Sequence, residues 1–205
     1  MELLPHRLTD IFSTEVVLEN DRVLLRPLQQ QDVYLLLPFA EQEPEIWKYS
    51  AVTAAGKDGM CEYVNTALQM RDAGKEYPFI VFDKQSDSYA GCTRFYDINP
   101  DFSTIQLGYT WYGKSFQATG LNRNCKLLML SFAFEEWNME RVEFRADNRN
   151  ERSIQAMKNI GCTVEGVLRS NMPTSAGGRR DSIVLSILRN EWFGSVKKKL
   201  EEKIH

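Results

Sequence analysis

The chain has 205 residues, 43% hydrophobic and 26% charged, and Lys+Arg 25 against Asp+Glu 28 gives a net charge of −3. That is too apolar for a disordered chain, long enough for one domain with a sizeable core, and without the basic excess of a dedicated nucleic-acid binder, so no direct nucleic-acid contact is expected. The histidines are His6 and His205, near the ends, and Cys61, Cys92, Cys125 and Cys162 stand far apart. Zinc sites and Ser-His-Asp or Cys-His chemistry are therefore not expected, no metal is expected, and the thiols read as reduced and buried.

In chain order, residues 1–19 form a mixed lead-in with no basic region followed by an apolar one. Arg22 to Pro27 predicts a strand ended by proline. A helical stretch runs from Gln31-Asp32 to about Ala40, interrupted at Pro38, and a second helix from about Asp58 to Ala73 stops at Gly74. Pro78 to Asp83 and Tyr89 to Ile98, joined by the polar turn Lys84–Ser88, read as a hairpin. Thr104 to Trp111 alternates, which puts Ile105, Leu107, Tyr109 and Trp111 on one face and Gln106, Gly108 and Thr110 on the other. The longest helix is expected over about Leu121 to Trp137, apolar on most of its surface and so buried on more than one side. Arg141–Ala146 reads as a strand, Glu151–Ile160 as a helix stopped by Gly161, and Thr163–Leu168 and Ser182–Leu188 as the last strands around Gly177-Gly178. The lysines from Lys197 to Lys203 read as the solvated face of a charged helical tail over 193–205. No run approaches the ~18 apolar residues of a membrane span, and a cytoplasmic protein is expected. The order predicts an α/β domain with a mixed sheet, its ligands at strand-to-helix junctions.

Two such junctions carry candidate chemistry. Thr110 to Asn122 leaves a strand and enters the long helix through Gln117-Ala118-Thr119-Gly120-Leu121-Asn122. A helix start exposes unpaired N–H groups that suit an anion, Gly120 permits close backbone approach, and Lys114 and Arg123 are candidate cations. The same glycine also serves an ordinary turn. Asn148 to Ser153 links a strand to a helix, with Asn150 as N-cap and Ser153 at the helix start, a pattern that capping alone explains.

Together, in this order, these segments resemble the GCN5-related N-acetyltransferases (the GNAT superfamily), and within it the ribosomal-protein-N-terminal, RimJ/RimL-like branch. Gln117-x-x-Gly120-x-Asn122 meets that family's acetyl-CoA loop at two of three positions. Arg141 to Asp147, Asn150-Glu151-Arg152-Ser153, Gly161, Glu165 to Arg169 and Arg180-Asp181-Ser182 follow in register, and Val23 to Leu28 with Asp32 resembles the branch's first strand and helix. The likeness spans about residues 20–192 of a single domain 1–205. It implies a mixed, mostly antiparallel sheet flanked by helices, whose central parallel strands, Thr104–Trp111 and Arg141–Ala146, splay around acetyl-CoA as co-substrate. It implies pyrophosphate on the backbone of Gln117, Ala118, Thr119, Gly120, Leu121 and Asn122, and pantetheine amides along Leu107, Gly108 and Tyr109. Asn150 is implied to bond the pantetheine arm, with Ser153 near the thioester sulfur. The implied reaction is direct attack of an amine on the thioester, the acceptor being a peptide or protein N-terminus or a small amine. A homodimer is a further possible assembly.

Three residues depart from the pattern. Gln106 stands where the branch often has Glu and cannot take a proton; Met157 replaces a tyrosine acid; Asn122 replaces a small loop residue. Glu143 on the facing strand is the candidate replacement base, acting through water, although a strand carboxylate between Arg141 and Arg145 is also the pattern of a plain ion pair. At pH 7 a lysine amine of pKa ~10.4 is neutral in roughly one molecule in 2,500 and an α-amine of pKa ~7.8 in roughly one in seven, so a weak base favours an α-amine. Trp47, Tyr49, Tyr109 and Trp111 are candidates for an acceptor pocket or for core. The competing functions are a non-catalytic acyl-CoA-binding or interaction module on the same fold and a nucleotide-phosphate binder, the latter without either phosphate-loop glycine motif.

Overall fold

The computed structural model describes Phe12, residues 15–174 and residues 177–204; most of the lead-in, His6 and His205 fall outside the described residues. The strands are β1 (Leu18–Glu19), β2 (Val23–Pro27), β3 (Tyr77–Asp83), β4 (Ser88–Asn99), β5 (Thr104–Tyr112), β6 (Arg141–Asp147), β7 (Thr163–Pro173) and β8 (Arg179–Leu188). They form one sheet in the order β1-β2-β3-β4-β5-β6-β8-β7. Every neighbouring pair is antiparallel except β5–β6, which is parallel. The helices are α1 (Val33–Gln42), α2 (Gly56–Asp72), α3 (Leu121–Ser131), α4 (Glu151–Asn159), α5 (Arg189–Glu191) and α6 (Lys197–Glu201). Among the described residues no helix is long and apolar enough to cross a membrane.

Both faces of the sheet are covered, which explains the unbroken apolar run of β3: Tyr77, Phe79 and Val81 enter one buried cluster with α3, α4 and the C-terminal helices, and Ile80 enters another with α1 and α2. α1 continues through Pro38 instead of stopping there. The bond proline removes is the one to the carbonyl of Tyr34, a residue 77% exposed, where water can replace it. Asp32, fully buried, anchors the start of α1 by bonding both guanidinium nitrogens of Arg26 at 2.7 and 2.8 Å. The longest helix also departs from its expected form. Its α-helical part ends at Ser131, and a π-helical turn over Phe132–Glu136 completes it. The tail is two-faced: Lys198, Lys199 and Lys203 are exposed, as expected, while Val196 and Leu200, with Trp192 just before them, are buried against the α3 side of the core.

β5 breaks its own alternation. Cys92 pairs with Trp111 and Arg94 with Gly108, so Thr93 faces both Tyr109 and Thr110 in a β-bulge. Tyr109 takes φ +48° to make it. The extra residue reverses the parity of the strand. Ile105 and Leu107 lie in the α3-side cluster, Trp111 lies in the α1/α2 cluster, and Tyr109 is 40% exposed. Tyr109 and Trp111 therefore do not share a face with Ile105 and Leu107, contrary to the alternation. On the opposite strand Gly91 makes room: a Cβ there would stand 2.0 Å from the Trp111 carbonyl oxygen.

Candidate active site

The parallel pairing of β5 with β6 covers only Thr104 to Gln106 against Arg141 to Glu143. Past that point β6 continues its ladder with β8 while β5 turns away through the bulge. Among the described residues, Leu107, Gly108 and Tyr109 thus form a strand edge with no strand neighbour on the β6 side, and backbone groups there are open to pair with a ligand's amides.

At the end of this opening the chain makes the turn into α3. Gly120 is the N-cap residue with φ +89°, and a Cβ at this position would meet nothing within 4 Å. The glycine is required by its backbone conformation, and the space over it is free. Ala118 is also left-handed, at φ +62°. Side-chain bonds hold the turn, Gln117 Nε2 donating to the Tyr112 carbonyl at 2.7 Å and Thr119 Oγ1 to the Phe116 carbonyl at 2.8 Å, while the Gln117 N–H donates to the Lys114 carbonyl at 3.2 Å and the Leu121 N–H to Thr119 Oγ1 at 3.4 Å. A cleft of about 310 Å³ lies over Ala118, Thr119 and Gly120, with Arg22, Arg123 and Lys203 at its rim. Of the cations expected here, Arg123 is present. Lys114 is turned away to Glu45. Lys203 is exposed, as its assignment to a solvated face expects, and from there it also lines the cleft and donates to the Asn159 carbonyl at 2.7 Å. The Asn122 side-chain oxygen is buried without a partner among the described residues.

α4 is tied to this turn by a hydrogen bond from Arg152 to the Gln117 side-chain oxygen. Asn150 caps α4, its Oδ1 accepting from the Ser153 N–H at 3.1 Å. The cap occupies only the amide oxygen; the Asn150 amide nitrogen and the Ser153 hydroxyl have no protein partner among the described residues. Met157, where an acid tyrosine is expected from the resemblance, is buried in the core.

On the α1/α2 face of the splay, Gln106 and Glu143 are register partners. Gln106 is 9% exposed and its Oε1 has no partner among the described residues. Glu143 bonds Arg141 at 2.8 Å through one oxygen and Arg145 at 2.7 Å through the other. Both carboxylate oxygens are thus engaged by guanidiniums of the same strand, the charge-assisted pattern of an ion pair that orders β6. Tyr109 stacks edge-on against Tyr96 and carries the Arg94 guanidinium over its ring at 4.2 Å. Arg94 is buried and pairs with Glu76 at 2.6 Å. Arg180, also buried, donates from β8 to the Tyr49 carbonyl at 3.3 Å, so the 48–55 segment crosses from the α1 side to β8 over the open face. The four aromatics divide: Trp47 and Trp111 are core, while Tyr49 and Tyr109 belong to this face.

Sequence reasoning passed over Lys126. It lies on the sheet-facing side of α3 at 5% exposure, its Nζ 2.8 Å from Thr110 Oγ1 at the bulge and 3.5 Å from Thr93 Oγ1. Burial lowers its pKa to about 8, and the titratable groups nearest it are the thiols of Cys125 and Cys162. The signal was available: a helix apolar on most of its surface leaves a mid-helix lysine few places to reach water. Among the described residues no group of three or more His, Cys, Asp or Glu is placed to hold a metal.

Comparison with known proteins bears on this geometry directly. A family model described as "Acetyltransferase (GNAT) domain" matches residues 22–163. The uncharacterized N-acetyltransferase p20 of Bacillus licheniformis is 24% identical over 186 residues, covering 86% of this chain and 98% of that protein. YdaF of Bacillus subtilis (strain 168), provisionally named a ribosomal N-acetyltransferase, is 24% identical over 180 residues, 85% of this chain and 96% of that one. Among solved structures, a provisionally assigned acetyltransferase from T. thermophilus superimposes with a TM-score of 0.83 at 29% identity, covering 92% of this chain and 97% of that one.

Proposed function

Since the chain belongs to the GCN5-related N-acetyltransferase family, whose members transfer an acetyl group to an amine, we propose that it acetylates a primary amine from acetyl-CoA bound in the β5–β6 splay, the favoured acceptor being the α-amine of a protein or peptide. The observation that carries this reading is the short parallel pairing: it ends at Gln106 and Glu143 and leaves the Leu107–Tyr109 edge open beside a glycine-capped helix start. The residues fit the co-substrate. The Gln117–Asn122 turn, with Gly120 left-handed and unobstructed and three basic residues around its cleft, suits a pyrophosphate. The Asn150 amide nitrogen suits a pantetheine carbonyl, and the Ser153 hydroxyl suits a donor to the sulfur. Bound acetyl-CoA supplies an acetyl group activated as a thioester; the protein's part is to hold the amine in line with it and to stabilise the charge that develops.

The preference for an α-amine rests on what surrounds the acceptor position. Gln106 takes no proton, and Glu143 is held by two guanidiniums. The amine must therefore arrive neutral or lose its proton to water, which an α-amine does far more readily than a lysine side chain. A relative named for ribosomal acetylation points to the same acceptor class. A cytoplasmic setting fits the unpaired thiols.

The deciding experiment is thermal unfolding with and without CoA or acetyl-CoA, followed by CoA release with a panel of amines. At 100 times Kd the ligand should add about 2.7 kcal/mol, raising Tm by roughly 5–10 °C. Peptides with free α-amines should turn over faster than the same peptides blocked at the N-terminus and bearing only lysine. A folded sample with an unmoved Tm refutes the reading. Binding without turnover across the whole panel supports the non-catalytic acyl-CoA-binding module.

Asn150 and Ser153 provide a second test. If they only cap α4, Asn150→Ala costs ~1 kcal/mol of stability and leaves turnover intact in folded protein. The proposal expects Asn150→Ala to raise the Kd for CoA and Ser153→Ala to lower kcat with little change in CoA affinity. Isothermal titration and initial rates, both taken well below each variant's Tm, separate the two accounts; wild-type kcat in Ser153→Ala would reduce that serine to a structural role.

A further inference from the structure

We propose that Lys126 is a catalytic residue of this enzyme: its ammonium group faces the sulfur of CoA in the β5–β6 splay and delivers the proton that converts the departing thiolate to a thiol. This rests on the acetyl-CoA reading above and adds a role that neither Ser153 nor Met157 fills.

The argument begins with a buried cation that lacks a counter-charge. Lys126 Nζ is bonded to Thr110 Oγ1 at 2.8 Å, Thr110 Oγ1 is 2.8 Å from Thr93 Oγ1, and the Phe144 ring lies 6.0 Å away. Thr110 belongs to β5 and Phe144 to β6, both beyond the last parallel pair. The ammonium therefore sits on the α3 side of the gap that the splay opens. The groups facing it are hydroxyls from β4 and β5, an aromatic ring from β6, the Cys125 thiol of its own helix and the Cys162 thiol after α4. None is a carboxylate. An ammonium has three donors, and Thr110 together with the distant Thr93 accounts for at most two. Burying a charge without a partner is costly, and proteins keep such groups mainly where a ligand or reaction intermediate supplies the missing charge. In this cleft the reaction generates one.

The step balances. The neutral acceptor nitrogen forms a bond to the acetyl carbonyl carbon. The carbon–sulfur bond breaks with its electron pair going to sulfur. A proton moves from Lys126 Nζ to that sulfur, the acetylated nitrogen loses its extra proton to water, and Lys126 is reprotonated from solvent. Burial lowers the Lys126 pKa and so brings its acidity toward that of a thiol, whereas a serine hydroxyl is far too weak an acid to complete the transfer. Ser153 then donates a hydrogen bond and Lys126 supplies the proton.

Lys126→Met is the variant of choice, since it keeps the stem's length and removes a buried unpaired charge, and Lys126→Arg keeps the charge but is too weak an acid to give up its proton. CoA binding is measured first by thermal shift. The thiol of bound CoA is then titrated through thiolate absorbance in the ultraviolet, and kcat is measured against pH. Wild type is expected to lower the pKa of the bound thiol and to lose kcat as pH rises past about 8, because only protonated Lys126 donates. Lys126→Met should restore the thiol to its ordinary value, flatten the alkaline limb and reduce kcat roughly 100-fold, with Kd for CoA changed only a few-fold. Lys126→Arg should keep the lowered thiol pKa but not the rate. Wild-type kcat and an unchanged thiol titration in Lys126→Met would overturn the assignment and leave the acetyl-CoA reading standing; a wild type that binds no CoA would overturn both.

Discussion

Glu76→Ala is expected to destabilise the protein by about 3–5 kcal/mol, because it strands a buried guanidinium. Glu76 follows α2 and is 8% exposed; its partner Arg94 in β4 is 3% exposed, and the pair meet at 2.6 Å. Arg94 has little else to hold its charge. Its Nε is buried with no hydrogen-bond partner among the described residues, and what remains is uncharged: Tyr63, whose ring lies 4.9 Å away and whose hydroxyl also hydrogen-bonds the guanidinium, and the Tyr109 ring at 4.2 Å. Truncating the carboxylate cannot expose the cation to water without opening the sheet where it meets α2. A chain of this size should lose roughly 6–20 °C in Tm, with little relief from added salt, since buried pairs are poorly screened. The same change should raise KM for acetyl-CoA, because Arg94 supports the Tyr109 ring at the bulge that opens the splay. Urea unfolding of Glu76→Ala, Arg94→Met and the double variant checks the stability claim, and initial rates against acetyl-CoA concentration check the second. The double variant should recover much of the loss, since it leaves no charge behind. A single Glu76→Ala loss below about 1 kcal/mol would mean that Arg94 finds another partner.

Much of the sheet was legible because its signals are local. Proline ends β2, polar turns separate β3 from β4, and the alternation of Val142, Phe144 and Ala146 toward the core places β6. The glycine-capped turn into α3 was legible for the same reason: Gly120 ahead of an apolar helix has a short list of physical meanings. The bulge was not. Nothing about Tyr109 favours φ +48°; the residue that accommodates the strand there, Gly91, is on β4, and its meaning appears only when the Trp111 carbonyl is seen 2.0 Å from a would-be Cβ. Parity therefore fails after Leu107, and with it the grouping of Tyr109 and Trp111. Lys126 was hidden by a related habit, which reads charge as surface. Glu143 was read both as base and as ion pair, and the contacts that engage it come from Arg141 and Arg145, two residues either side on one strand face, with Glu165 of β7 sharing Arg141.

Gly120→Asp is expected to abolish CoA binding at concentrations that saturate the wild type, while leaving a folded protein. Two effects act at this position, and they can be separated. Any side chain must adopt φ +89°, which costs about 1–2 kcal/mol, but no neighbour is struck, because the space over the residue is open. Gly120→Ala isolates this cost: a modest fall in Tm and less than a tenfold rise in Kd. Aspartate adds a carboxylate to the surface proposed to receive the pyrophosphate, and like charges in contact cost several kcal/mol, roughly 100-fold or more in Kd. The basic rim offers limited compensation. Arg22 is paired with Asp83, and Arg123 donates to the Lys203 carbonyl at 2.7 Å. The comparison that locates the effect uses dephospho-CoA, which keeps the pyrophosphate and lacks the 3′-phosphate. If the turn holds the pyrophosphate, Gly120→Asp loses as much affinity for dephospho-CoA as for CoA. A penalty that disappears with dephospho-CoA would move the turn's contact to the 3′-phosphate. Undiminished CoA binding by folded Gly120→Asp, measured by titration calorimetry, would remove the Gln117–Asn122 turn from the site.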